Sequence, residues 1–165
     1  MKTTAVIMIL ASSLLTALTV IQREKAHCDT LIKTVNFLIA VKNRAMFYAE
    51  PFRDIVSCIF LADSRQSLDF VSSFLSDDSI SAPDSWTKAV NSSKCPLNKT
   101  ELELIIEFGC GLCSCSREQI EEHCGKIISE LHERTVSLKE NMEKKVKLTS
   151  ALSLSLGIAA VLIFI

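Results

Sequence analysis

The sequence predicts an all-α protein, a compact helical bundle domain held between two transmembrane helices. Three observations predict it. Charge is segregated: no charged side chain lies between Thr3 and Ile21, or between Leu148 and Ile165. The charged middle repeats its apolar residues at intervals of three and four, with no competing alternating stretch. Four glycines and three prolines are too few for a loop-rich β fold. Segregation also explains how a chain that is 22% charged reaches a mean hydropathy of +0.31.

The first apolar segment, 3–21, reads TTAVIMILASSLLTALTVI. At about 1.5 Å per residue, a helix of this length spans the roughly 30 Å hydrocarbon core of a bilayer. Its serines and threonines can bond back to their own helix, which makes them tolerable there. The competing reading is a cleaved signal peptide. Against it stand a weak basic start at Lys2 and the lack of a small-x-small site before Gln22. The last segment, 148–165, reads LTSALSLSLGIAAVLIFI. It is a little short for a span, and Lys144, Lys145 and Lys147 stand where they can snorkel to the headgroups. The competing reading there is a buried core helix. Flanking bases set the orientation. Arg23, Lys25 and Lys33 follow the first span, and Lys139, Lys144, Lys145 and Lys147 precede the second, with only Lys2 outside. Both spans therefore predict a cell-membrane protein whose 22–147 domain is cytoplasmic.

Within 22–147, residues 30–48 carry Leu31, Val35, Leu38, Ile39, Val41 and Met46 at mostly helical spacing. Pro51 closes this helix and can serve the next as an early residue. Phe52, Ile55, Val56, Ile59 and Phe60 then repeat at three and four, and Leu68, Val71, Phe74 and Leu75 make a further short face. Polar 76–83 reads as a loop, a short helix follows around Trp86–Val90, and 91–96 is a second break. Asn98 with Glu101 forms an N-cap pair. The helix it opens carries Leu102, Leu104, Ile105 and Phe108, and Gly109 and Gly111 are expected to end it. Ser116 with Gln119 repeats the capping pattern and opens the longest helix. Its stripe is Ile120, Cys124, Ile127, Leu131, Leu138 and Met142, and nothing breaks it before Leu148. Both long helices are thus expected to run unbroken into the apolar ends.

Few features point to chemistry. The middle is near neutral, which argues against a nucleic-acid partner through bulk electrostatics. No phosphate-binding glycine loop, HExxH or GxSxG occurs. His27, His123 and His132 read as solvated surface residues, Glu121 and Glu122 as a solvated helix face, and Trp86 as a core anchor. No catalytic residue, cofactor or small-molecule substrate is indicated, and the chain reads as a non-enzyme. The seven cysteines all lie in the middle. Cys110-x-x-Cys113-x-Cys115, with Cys124 further on, has the composition of a metal site. The spacing matches no standard pair of knuckles, however, and His123 and Cys124 point about 100° apart on a helix. A cysteine-rich interhelical turn with Cys124 in the core is the stronger reading. The alternative for the whole chain is a secreted or membrane-tethered cysteine-rich metal or redox module, with the first segment removed.

The run Phe108-Gly109-Cys110-Gly111-Leu112-Cys113-Ser114-Cys115-Ser116-Arg117-Glu118-Gln119, followed by a long charged helix and a terminal apolar span, resembles the stage III sporulation protein AB family. The family pattern there runs Phe-Gly-x-x-Leu-Gly-x-Ser, often an acidic residue, then Gln. This sequence keeps Phe108, Gly109, Leu112 and Gln119, which the resemblance marks as a structural or partner-binding turn. It departs at Cys113 for glycine, Cys115 for serine and Ser116 for the acid. Ser85-Trp86-Thr87-Lys88-Ala89 resembles the family's Trp-x-x-Ala segment, and Pro51 with Asp54 its Pro-x-x-Glu. Arg44 stands where a glutamate is usual. The resemblance implies a domain similar to the helical cytoplasmic domain of type II secretion platform proteins. It also implies a place in the channel complex joining mother cell and forespore during engulfment, in the mother-cell membrane facing the forespore. The implied partners are the sporulation channel proteins, including the stage III AA-type ATPase.

Overall fold

The computed structural model describes the backbone of residues 2–48, 50–62, 68–77 and 81–164. The side chains of 1–14, 16–17, 117, 147 and 149–165 are outside the described set. Among the described residues there are six helices and no strand: α1 Lys2–Phe47, α2 Phe52–Ala62, α3 Asp69–Ser76, α4 Ala82–Ser92, α5 Lys99–Ser114 and α6 Arg117–Phe164. The chain forms two units, one of Met1–Cys28 with Val136–Ile165 and one of Asp29–Thr135.

The first unit consists of the outer parts of α1 and α6. Both helices are unbroken, as the absence of any proline within them allows. The two predicted membrane spans, 3–21 and 148–165, have helical backbone, but their side chains lie largely outside the described residues. Among the residues that are described, no helix is long and apolar enough to cross a membrane. Lys145 of α6 donates to the Glu24 carboxylate of α1 within this unit.

The second unit holds the core. On α1, Leu31, Thr34, Val35, Leu38 and Val41 are buried at helical spacing, joined by Phe37. Ile39, expected in this stripe, stands at the surface, and Thr34 takes its place by returning its hydroxyl to the Thr30 carbonyl (2.9 Å). A threonine so bonded carries only its methyl into the core. On α6, Ile120, Cys124, Ile127, Leu131 and Thr135 are buried. Phe52, Ile55 and Val56 come from α2, and Phe70, Val71 and Phe74 from α3.

Trp86 of α4, fully buried, is the centre of this packing. Phe52, Phe70 and Phe74 surround it, with ring centroids 5.2, 5.5 and 5.3 Å away in edge-to-face arrangement. Its indole N–H, a donor that would be costly to bury unpaired, donates to the Ile105 carbonyl of α5 at 2.9 Å. α4 is longer than the sequence suggested at both ends. It begins at Ala82, because Pro83 fits the first helical turn, and it runs through Asn91 to Ser92.

Candidate functional site

The residues singled out by sequence converge on the end of α5 and the start of α6. α5 opens as predicted. Glu101 reaches back to accept the Asn98 backbone N–H at 2.8 Å and is itself buried (2% exposed). α6 opens as predicted too, with the Ser116 N–H donating to Gln119 Oε1 at 3.1 Å.

The expected end of α5 is a correction. Gly109 and Gly111 do not stop the helix, which continues to Ser114 with the Cys115 N–H closing onto the Gly111 carbonyl at 2.9 Å. Neither glycine has a positive φ. Phe108, Gly109 and Leu112 are therefore helical residues and form no turn. Their glycines serve close approach instead. A Cβ at position 109 would fall on Cδ1 and Nε1 of Trp86 and lie 2.8 Å from Cε2. A Cβ at 111 would lie 2.5 Å from Cδ2 and 2.8 Å from Nε2 of His123. The missing side chains let α4 press its indole onto one face of α5 and α6 its imidazole onto another.

Of the four predicted turn residues, Phe108 and Gly109 are buried in the core, Leu112 is half-buried and Gln119 is an exposed cap. They share no surface. His123, expected in solvent, is half-covered and packs against Gly111, with its Nε2 3.7 Å from Glu107 Oε1. Trp86 and His123 are the residues that the glycines serve. Both lie far from them in sequence, so no local pattern marks the pairing.

The cysteines do not assemble. Among the described residues no three His, Cys, Asp or Glu side chains are placed to hold a metal ion. Cys110 is half-buried and 3.8 Å from the Thr87 hydroxyl, Cys113 is exposed, Cys115 is half-buried and Cys124 is fully buried. None of the seven cysteines is joined in a disulfide. Burial pushes the Cys124 thiol up to about 11, with Cys115 adding to the shift and Lys42 opposing it. That is the behaviour of a core residue. A thiolate ligand or nucleophile needs a shift the other way. At the α1–α2 junction, Arg44 forks onto Glu50 (Nε 2.9 Å, Nη2 3.2 Å) and lies over the Tyr48 ring.

The profile of the stage III sporulation protein AB family matches residues 2–165. The chain belongs to that family. A solved structure of a stage III sporulation protein AB superposes with a TM-score of 0.59 at 17% identity, covering 72% of this chain and 97% of the other. At that identity the likeness establishes a shared fold. No curated protein sequence matches it significantly. The stage III AB family is one of sporulation proteins and is not a known family of enzymes.

Proposed function

We propose that this stage III AB protein is a non-enzymatic platform subunit of the channel complex between mother cell and forespore. In this reading it sits in the mother-cell membrane facing the forespore. Two transmembrane stems hold a cytoplasmic helical domain similar to secretion-platform domains, and that domain works with a stage III AA-type ATPase. The observation that carries the reading is the continuity of α1 and α6, 46 and 48 residues long, from the apolar chain ends into the folded core. In this reading a displacement of the domain by an ATPase acts on the stems through these two helices. Membrane placement is supported by exposed Leu15, Leu18 and Val20 on α1, where the apolar run ends. The basic flanks support a cytoplasmic domain.

The test uses sporulating cells and the full chain. A membrane-impermeant maleimide is expected to leave intact cells unlabelled and to label exposed Cys113 after permeabilisation. The detergent-solubilised protein is expected to co-purify with the AA-type ATPase. Labelling of intact cells would place the cysteines outside and favour a secreted cysteine-rich module. Absence of the ATPase would remove the coupling role.

A further inference from the structure

In the unit of Met1–Cys28 with Val136–Ile165, Arg23 and Lys25 of α1 stand level with Lys144 and Lys145 of α6. Glu24 accepts from Lys145, and this contact fixes both the level and the direction in which the two helices meet. Among the described residues, Arg23, Lys25 and Lys144 are exposed and take part in no ion pair. Glu140 and Glu143, the preceding carboxylates on α6, are exposed and take part in none either. α1 leaves this unit at Cys28 and α6 enters it at Val136, so the pair is antiparallel. Successive residues turn about 100° around a helix axis, and the sense of that turn is opposite on two antiparallel helices. The residue before Glu24 and the residue before Lys145 therefore fall on the same flank of the pair. Arg23 and Lys144 share that flank, and Lys25 falls on the opposite one with Val146. Lys139 is on the Lys25 flank too, but it precedes Lys144 by five residues and so lies about 7.5 Å further along the axis.

The flank of Arg23 and Lys144 turns apolar within one helical turn. Val20, three residues before Arg23, and Leu148, four after Lys144, neighbour them on the helix surface on the side of the apolar chain ends. Both are exposed. We propose that Arg23 and Lys144 together hold the phosphate of an anionic phospholipid, whose acyl chains run over Val20 and Leu148. This rests on the membrane placement proposed above and names the lipid class that the stems select. A guanidinium offers a planar fork to two phosphate oxygens, and an ammonium adds a compact charge beside it. Lys145, committed to Glu24, ties the two helices together beneath them. The apolar neighbours select the ligand. A soluble phosphate ester would leave Val20 and Leu148 in water, whereas an acyl chain covers them. A nucleic acid follows an extended track of cations, which this flank does not provide. A zwitterionic headgroup carries its own cation next to the phosphate, and Arg23 and Lys144 would repel it.

The test uses the full-length protein in mixed micelles of a neutral detergent with equal amounts of phosphatidylglycerol and phosphatidylcholine. Native mass spectrometry counts the lipid that stays on the protein. Phosphatidylglycerol is expected to be retained about tenfold over phosphatidylcholine. Arg23→Gln and Lys144→Gln are each expected to lower its retention about tenfold, the loss of one charge-assisted contact. Lys25→Gln removes the same charge at the same level from the other flank, and is expected to change retention by less than about twofold. Excess glycerol 3-phosphate is expected not to compete. An unchanged near-UV signal from Trp86 confirms the fold of each variant. Equal retention of the two lipids overturns the proposal. So does a Lys25→Gln loss as large as that of Arg23→Gln, since the attraction would then follow charge count and not the flank. Displacement by glycerol 3-phosphate would overturn it as well, the site then serving a soluble phosphate. Each of these results leaves the membrane placement standing. Recovery of the protein in the soluble fraction of lysed cells would remove the placement and this site with it.

Discussion

Gly109 and Gly111 occupy the same stretch of one helix, both without a positive φ, and each is pressed by an aromatic ring from another helix. They differ in what stands behind the ring. Behind Trp86 are Phe52, Phe70 and Phe74, and its indole N–H is held by the Ile105 carbonyl, so the ring has nowhere to go. Behind His123 is the domain surface; its side chain is 35% exposed, and it faces Glu107 across 3.7 Å. The same glycine-to-ring contact is thus rigid at one position and yielding at the other. The lesson is that the cost of a Cβ depends on the mobility of the wall it meets more than on the space that is vacant.

The sharpest way to break this comparison is to fill the rigid site. Gly109→Ala is expected to destabilise the protein by about 2 kcal/mol or more, overpacking outweighing the roughly 0.8–1 kcal/mol that alanine gains over glycine in a helix. Denaturant unfolding measures it. If the wall is the cause, shrinking it must relieve the clash. In the double variant with Trp86→Phe, the Gly109→Ala cost is expected to fall by about 1 kcal/mol. Strict additivity would show that the indole is not what opposes the Cβ.

An intermediate effect is expected at Cys124, on the helix that bears His123. Its folded-state thiol is raised from 9.0 to about 11, chiefly by burial. Between those values the unfolded chain has lost the proton and the folded chain has kept it. Stability contributed by this group is therefore full below pH 9 and is lost as pH rises towards 11. Cys124→Ala is expected to flatten the decline of stability over that window, read as the denaturation midpoint at pH 8 and pH 10.5. An unchanged slope would mean that the thiol is not buried in the way its surroundings indicate.

The smallest effect is expected at the yielding site. Gly111→Ala should lie within about 0.5 kcal/mol of the parent, because the imidazole can rotate outward while the helix gains propensity. In a His123→Ala background the same change should stabilise by about 0.8 kcal/mol, the propensity gain alone. A loss near that of Gly109→Ala would erase the contrast between the two sites.

Several elements were legible because their causes are local. The Asn98–Glu101 and Ser116–Gln119 pairs are three residues apart, so the capping pattern carries its own geometry, and both caps form. The long helices were legible because nothing in 2–47 or 117–164 interrupts them. The misread elements share a different cause. Gly109 and Gly111 look like a helix end, since glycine is a poor helix former. Their purpose comes instead from Trp86 and His123, which reach them from other helices. Ile39 looks like core, yet it is exposed, while Thr34 of the same helix is buried with its hydroxyl returned to the Thr30 carbonyl. The cysteine cluster is compact in sequence, but the α5–α6 corner splays it between core and solvent.

The sequence by itself determined the all-α class, the starts of α5 and α6 and the unbroken runs of α1 and α6. These follow from capping chemistry, apolar periodicity and the placement of proline, all of which act within a few residues. Only the tertiary structure decided that α5 passes through its glycines and that Trp86 is the fixed point of the domain. It also decided that Gly111 lies against the imidazole of His123. The physical reason is that close approach and ring mobility depend on which helices meet, and packing brings together side chains that the chain order keeps apart.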